Sequence, residues 1–220
     1  FAKETIYAYI SDGGIQEEIS QGGARIASTL GLDNLIMFYD SNDIQLSTET
    51  KEVMNEDTAA KYRALGWEVI EICGNDVDQI RQALDAAKKV EGKPTLIIGK
   101  CIMGKGALKA DGTSYEANCK THGAPLGGDA YVNTIKHLGG DPENPFVIFD
   151  DVKEMYASRA KELEAICSQR YAEEKAWADA NPEKAAALAD WFSGKAPVID
   201  WSKVQQKAND ATRSASAACL

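Results

Sequence analysis

Thr5-Ile6-Tyr7-Ala8-Tyr9-Ile10-Ser11-Asp12-Gly13-Gly14-Ile15, followed by Leu35-Ile36-Met37-Phe38-Tyr39-Asp40-Ser41-Asn42, is the stretch that decides the fold. Thr5 to Ile10 is β-branched and aromatic and stops at a turn cluster, Ser11-Asp12-Gly13-Gly14, which predicts a buried strand. Ile15, Ile19, Ile26 and Leu30 then recur at helical spacing, and Gly31 stands where a helix C-terminus favours a left-handed residue. Leu35 to Tyr39 is a second apolar run, ending at Asp40-Ser41-Asn42-Asp43. Strand, glycine turn, helix and strand in this order predict a parallel βαβ unit.

The rhythm continues outward. A short helix from Asp57 to Leu65 is closed by Gly66, a third strand follows from Trp67 to Ile72, Val77, Ile80, Leu84 and Ala87 form a helix stripe, and Pro94 to Ile98 supplies a fourth strand. The fold class is therefore α/β, a parallel sheet flanked by helices on both faces. Residues 99–128 are glycine-rich, polar and long for a plain connection, which marks a functional loop. Residues 151–190 turn to Ala, Glu and Lys with helical periodicity, 191–207 hold Gly194 and Pro197, and Asn209 starts a small-residue helix. The expected organisation is an α/β domain over 1–150, a helical C-terminal extension and linker over 151–207, and the start of another element over 208–220.

Composition excludes several classes of function. The formal net charge is -10 and no run of Lys and Arg interleaves with aromatics, so nucleic acid is not an expected partner. No apolar stretch has the length to span a bilayer, so no membrane partner is expected either. Five cysteines, odd in number and without a C-x-x-C pair, fit a reducing cytosol and a cytoplasmic protein. The chain opens on Phe1 and enters a strand almost at once, which is expected of a sequence taken from the middle of something longer.

In open parallel sheets ligands sit beyond the C-terminal ends of the strands, and Asp12 and Asn42 both fall there. Gly13 and Gly14 let the backbone approach a ligand closely, and the helix that follows points unpaired N–H groups at the same place, as a diphosphate cradle requires. A diphosphate needs a counter-cation, and magnesium favours oxygen ligands shared between protein, phosphate and water. Asp12 offers a carboxylate, Asn42 an amide oxygen and, if Asn42-Asp43 turns sharply, Ile44 a carbonyl. Taken singly, Asp12 is explained as a helix cap and Asn42 as a turn residue. His122 in the long loop is a candidate acid–base group, whereas His137 on a predicted helix reads as structural.

The segment from Asp12-Gly13 through Asn42 resembles the thiamine diphosphate signature that begins Gly-Asp-Gly and closes at an Asn after an apolar strand. Tyr9-Ile10-Ser11-Asp12-Gly13-Gly14-Ile15-Gln16-Glu17, Phe38-Tyr39-Asp40-Ser41-Asn42, Tyr62-Arg63-Ala64-Leu65-Gly66-Trp67 and His122-Gly123-Ala124-Pro125-Leu126 further resemble transketolase, in the family's order. The resemblance implies the thiamine diphosphate-binding fold, present here in incomplete form. It implies thiamine diphosphate and Mg2+ as cofactors, with Ca2+ able to substitute. Asp12, Asn42 and the Ile44 carbonyl would be the metal ligands, and Gly13 would bind the diphosphate through its N–H. Leu46 would lie against the thiazolium ring. Lys100 and His122 would approach the diphosphate, with His122 also catalytic at the reacting carbonyl, and Glu17 would sit at a homodimer interface, coupling two cofactors.

The implied activity is transfer of a two-carbon ketol unit from a ketose phosphate to an aldose phosphate. One departure is Ser11, where the signature has glycine, and the loop from Lys105 to Lys120 has its own sequence. The glutamate that faces the aminopyrimidine belongs, in the family, to the next domain of a partner subunit, and the sugar-binding histidines lie upstream. These residues are thus expected to supply the diphosphate and metal half-site and to be inactive alone, with the rest of a transketolase polypeptide or a complementary subunit as partner. The alternatives are a non-catalytic diphosphate-binding or dimerisation module, or another thiamine diphosphate enzyme such as deoxyxylulose-phosphate synthase or phosphoketolase. The His122 block favours transketolase over both.

Overall fold

A computed structural model describes residues 4–219 except 47 and 197. The chain divides into two compact units, 1–147 and 148–220. Four parallel strands form the sheet of the first unit: β1 (Ile6–Ser11), β2 (Leu35–Ser41), β3 (Glu68–Cys73) and β4 (Thr95–Lys100), in spatial order β1-β2-β4-β3. The helices between them are α1 (Asp12–Gln16), α2 (Glu18–Thr29), α3 (Thr58–Ala64) and α4 (Val77–Ala87), and α5 (Gly128–His137) follows the long loop.

Period-two alternation sends the two faces of each strand to different helices. On one face Tyr39 and Leu96 pack with Ile15, Ala24, Ala27, Tyr62 and Trp67 under α2 and α3. On the other, Ile36 and Ile97 pack with Ala83 and Ala87 of α4. Local chemistry sets the boundaries of α3. The Asp57 carboxylate accepts from the Ala60 N–H at 2.9 Å, and Gly66, at φ +92°, ends the helix where an L side chain would be strained. The Trp67 indole N–H then reaches the Ala24 carbonyl at 2.8 Å, tying β3 to α2.

Three sequence expectations change. Asp12, Gly13 and Gly14 are not a turn but the opening of α1, which ends after five residues and passes through the extended Glu17 into α2. The apolar stripe of α2 does not face the sheet: Ile19, Ile26 and Leu30 are exposed, and Gln21, Ala24 and Ala27 are buried instead. Close approach of the helix to the sheet and to Trp67 admits small side chains there, and the larger ones take the outer face. β1 is a strand but not a buried one, since it lies at the sheet edge and Ile6, Tyr7 and Tyr9 are each at least half exposed.

The loop from Lys105 to Lys120 is ordered by a small hairpin. Lys109 and Thr113 close its tip, Leu108 bridges to Ser114, and the Glu116 carboxylate accepts from the Gly106 N–H at 2.7 Å. Thr134 and Asn133 of α5 bind its backbone at Leu108, Lys109 and Ala110. The second unit is helical: α6 (Asp150–Ala180), α7 (Pro182–Phe192) and α8 (Thr212–Cys219). Pro182, at the first turn of α7, separates it from α6, as its missing N–H and fixed φ favour. No described helix is long and apolar enough to cross a membrane.

Candidate functional site

Parallel pairing of β1 with β2 sets Ser11 beside Asp40, so both strands release the chain at neighbouring points and Asp12 meets Asn42. The Asp12 side chain is buried, 1% exposed, and both of its oxygens are held: Oδ1 accepts from the Tyr39 hydroxyl at 2.6 Å and Oδ2 from the Asn42 backbone N–H at 3.1 Å. Burial, and then the Asp12 carboxylate, push the Tyr39 hydroxyl well above its ordinary pKa, so it stays a donor. Among the described residues no basic side chain pairs with Asp12.

Asn42 is 9% exposed, and its amide is fixed at both ends. Oδ1 accepts from the Ile44 N–H at 3.0 Å, and Nδ2 donates to Asp40 Oδ1 at 3.2 Å. Asp43 adopts φ +65°, a left-handed turn that directs the chain back through Ile44. No described residue donates to the Ile44 carbonyl. Leu46 is exposed, and its Cδ1 lies 3.9 Å from where a Cβ on Gly123 would stand. The loop after β2 therefore meets the loop that carries His122.

His122 ends a 3-10 turn over Cys119–Thr121, which Asn118 caps through the Lys120 N–H at 2.9 Å. Its Nδ1 is buried without a hydrogen-bond partner. Lys100, the last residue of β4, is ion-paired with Asp43 at the rim of the site. Gly13 is exposed, with nothing within 4 Å of a would-be Cβ, whereas a Cβ on Gly14 would come to 2.9 Å from Ile10 Cγ1. Ser11 is exposed and makes no capping hydrogen bond, so the fold tolerates serine where the signature has glycine. Glu17 is exposed at the break between α1 and α2.

The structure thus gathers Asp12, Asn42, Ile44 and Gly13 at one place, and Leu46 with His122 beside Gly123 at the neighbouring loop. Sequence reasoning passed over Tyr39 and Asp40, the two side chains that hold Asp12 and Asn42. Their signal is an aromatic hydroxyl and a carboxylate at the C-terminal end of a strand in a ligand-binding sheet. A separate cavity beside Tyr39 is lined by Asp43, Glu49, Glu56, Asp57 and Glu71 against Lys51 alone, which does not suit an anion.

The donor set fits a hard cation held jointly with an anionic ligand. A carboxylate at 1% exposure with no basic partner among the described residues is costly to bury uncompensated. A carboxylate, an amide oxygen and a free carbonyl are oxygen donors of the kind magnesium takes, with phosphate oxygens and water completing the shell. Among the described residues no group of three or more His, Cys, Asp or Glu gathers to hold a metal by protein side chains alone.

Comparison with known proteins identifies the family of the chain. A family model described as the transketolase thiamine diphosphate binding domain matches residues 1–197. The transketolase of Staphylococcus epidermidis is 38% identical over 196 residues, which are 87% of this chain and 28% of that protein. The solved structure of transketolase from Leishmania mexicana matches at a TM-score of 0.83 and 32% identity, over 97% of this chain and 31% of that one. A Pichia stipitis transketolase in complex with sedoheptulose-7-phosphate matches at a TM-score of 0.79 and 31% identity, over 93% of this chain and 30% of that one. The chain spans about three tenths of the length of these relatives.

Proposed function

The chain belongs to the family of transketolase thiamine diphosphate-binding domains, and from that premise we propose that it supplies the diphosphate- and magnesium-binding half of a ketol-transferring centre. The whole enzyme would move a two-carbon ketol unit from a ketose phosphate to an aldose phosphate. The sedoheptulose-7-phosphate bound by the Pichia stipitis relative belongs to the first of those substrate classes. The rest of the centre would come from further transketolase polypeptide, in a homodimer with Glu17 near the contact.

When bound, thiamine diphosphate supplies a thiazolium ring whose carbon acts as nucleophile and electron sink. The work of this chain is to hold and orient it. Asp12, Asn42 and the Ile44 carbonyl would take the magnesium ion, and the open N–H of Gly13 would take a diphosphate oxygen. Leu46 would shield one side of the thiazolium from water. Lys100 would leave or share its ion pair with Asp43 to face the diphosphate. His122, whose buried Nδ1 has no hydrogen-bond partner, would hold or move a proton at the reacting oxygen.

The observation that carries the proposal is the Asp12 carboxylate, buried to 1% and clamped between Tyr39 and Asn42 with no basic side chain against it among the described residues. The test is thermal stabilisation by thiamine diphosphate plus Mg2+, measured for the wild-type chain and for Asp12→Ala. The wild type should gain about 2.7 kcal/mol at a ligand concentration of roughly a hundred times Kd, and Asp12→Ala should gain almost none. Equal stabilisation of both proteins would remove Asp12 from the site and overturn the proposal.

A further inference from the structure

We propose that Asp40 is the positioning residue for Asn42, fixing which end of the amide faces the cation, and that Tyr9 holds Asp40 in place for the task. The inference rests on the magnesium site proposed above. Asp40 stands between the two elements involved. Its Oδ1 accepts from Asn42 Nδ2 at 3.2 Å, and its Oδ2 accepts from the Tyr9 hydroxyl of β1 at 2.8 Å. The Tyr9 ring in turn lies parallel to Phe38, with centroids 5.7 Å apart and planes at 3°. Burial, and then the neighbouring Asp40, push the thiol of Cys101, just after β4, up to about 12.

An asparagine amide presents an oxygen or an NH2 according to a rotation that its own shape hardly resists. Only the oxygen can bind a cation. At Asn42 the rotation is settled from both sides. The Ile44 N–H requires an acceptor, and the Asp40 carboxylate, itself an acceptor, requires a donor. Turning the amide over would set oxygen against carboxylate and NH2 against N–H. Oδ1 keeps one lone pair beyond its bond to Ile44, and that lone pair is the one a magnesium ion would use. Partners behind a metal ligand contribute in this way to affinity, by removing the orientations that do not bind.

The experiment measures the Mg2+ concentration that half-saturates thiamine diphosphate binding, by calorimetry, in the full chain and its variants. Asp40→Ala and Asp40→Asn should each raise it about tenfold or more, and Tyr9→Phe about threefold. Asp40→Asn keeps shape and volume, and an unchanged melting temperature without ligand separates metal binding from folding. Asp40→Ala made in an Asn42→Ala background decides the route. If Asp40 acts through Asn42, the second change adds nothing; if it acts only as a nearby negative charge, the two effects add. Additive effects overturn the proposal, as does the wild-type Mg2+ requirement in both Asp40 variants. A wild-type chain with no Mg2+-dependent binding would instead overturn the magnesium site, and this inference with it.

Discussion

Tyr39→Phe isolates the interaction on which the buried carboxylate depends. The substitution removes one hydroxyl and leaves the ring, which is 3% exposed and packed in the core under α2 and α3. What is lost is a 2.6 Å hydrogen bond to Asp12 Oδ1, an oxygen that has no route to water at 1% side-chain exposure. A hydrogen bond to a charged group contributes about 1.5–3 kcal/mol, and stranding a buried acceptor puts the loss in the upper part of that range. With a urea m-value of about 2 kcal/mol/M, the midpoint should fall by about 1 M. Trp67 is the reporter, because it is 4% exposed within the same core while Trp177, Trp191 and Trp201 are 38% exposed or more. Tyr7→Phe, at a ring 56% exposed, is the control and should leave the midpoint unmoved. A midpoint shift below about 0.2 M for Tyr39→Phe would refute the view that Tyr39 holds Asp12.

Two further outcomes follow from the same geometry. Gly66→Ala places a Cβ 2.4 Å from the Ser28 hydroxyl on a backbone at φ +92°, and should cost about 1–3 kcal/mol. Adding Ser28→Ala should recover the steric part but not the backbone part, and a full recovery in melting temperature would show that φ is not the constraint. Alkaline pH should unfold the first unit through its buried tyrosines. Burial raises Tyr62 to about 12 and, with Asp12, raises Tyr39 further, whereas the unfolded value is near 10. The fold therefore favours their neutral forms. Their contribution is complete below pH 10 and is lost as pH rises from about 10 through 12. Of the eight tyrosines, these two should ionise only as the circular dichroism of the fold is lost; ionisation of all eight near pH 10 in an intact fold would refute this.

The alternation of strands and helices was legible because its signals are local. Apolar periodicity and the glycines at 31 and 66 act within one or two turns of chain, and the four strands and the helices between them stand near where they put them. That Asp12 and Asn42 stand at neighbouring strand ends was legible for a related reason, since each follows closely on an apolar strand-forming run. The inner face of α2 was not. Periodicity says which residues share a face, but the choice between Ile19-Ile26 and Ala24-Ala27 depends on how near the sheet comes and on the indole of a tryptophan 43 residues away. Tyr39 was hidden by the same kind of distance, 27 residues from Asp12. As neighbours on a strand Tyr39 and Asp40 point to opposite faces, one toward Asp12 and the other toward Asn42. The register of β1 against β2 brings Tyr39 to Asp12, whereas Asp40 reaches Asn42 along its own strand end.

The edge position of β1 bears on how the chain behaves when handled by itself. Residues Ile6–Ser11 contain no proline and no charged side chain, and among the described residues nothing pairs with the outer side of the strand. A row of unsatisfied N–H and C=O groups flanked by isoleucine and tyrosine is a template for adding a further strand. At high concentration the nearest donor of such a strand is another copy of the same segment, and pairing β1 with β1 uses both edges in a closed two-fold contact. Concentrated samples should accordingly contain a dimer that dilution dissociates, and a lysine in place of outward-facing Tyr7 would be the simplest gatekeeper against it.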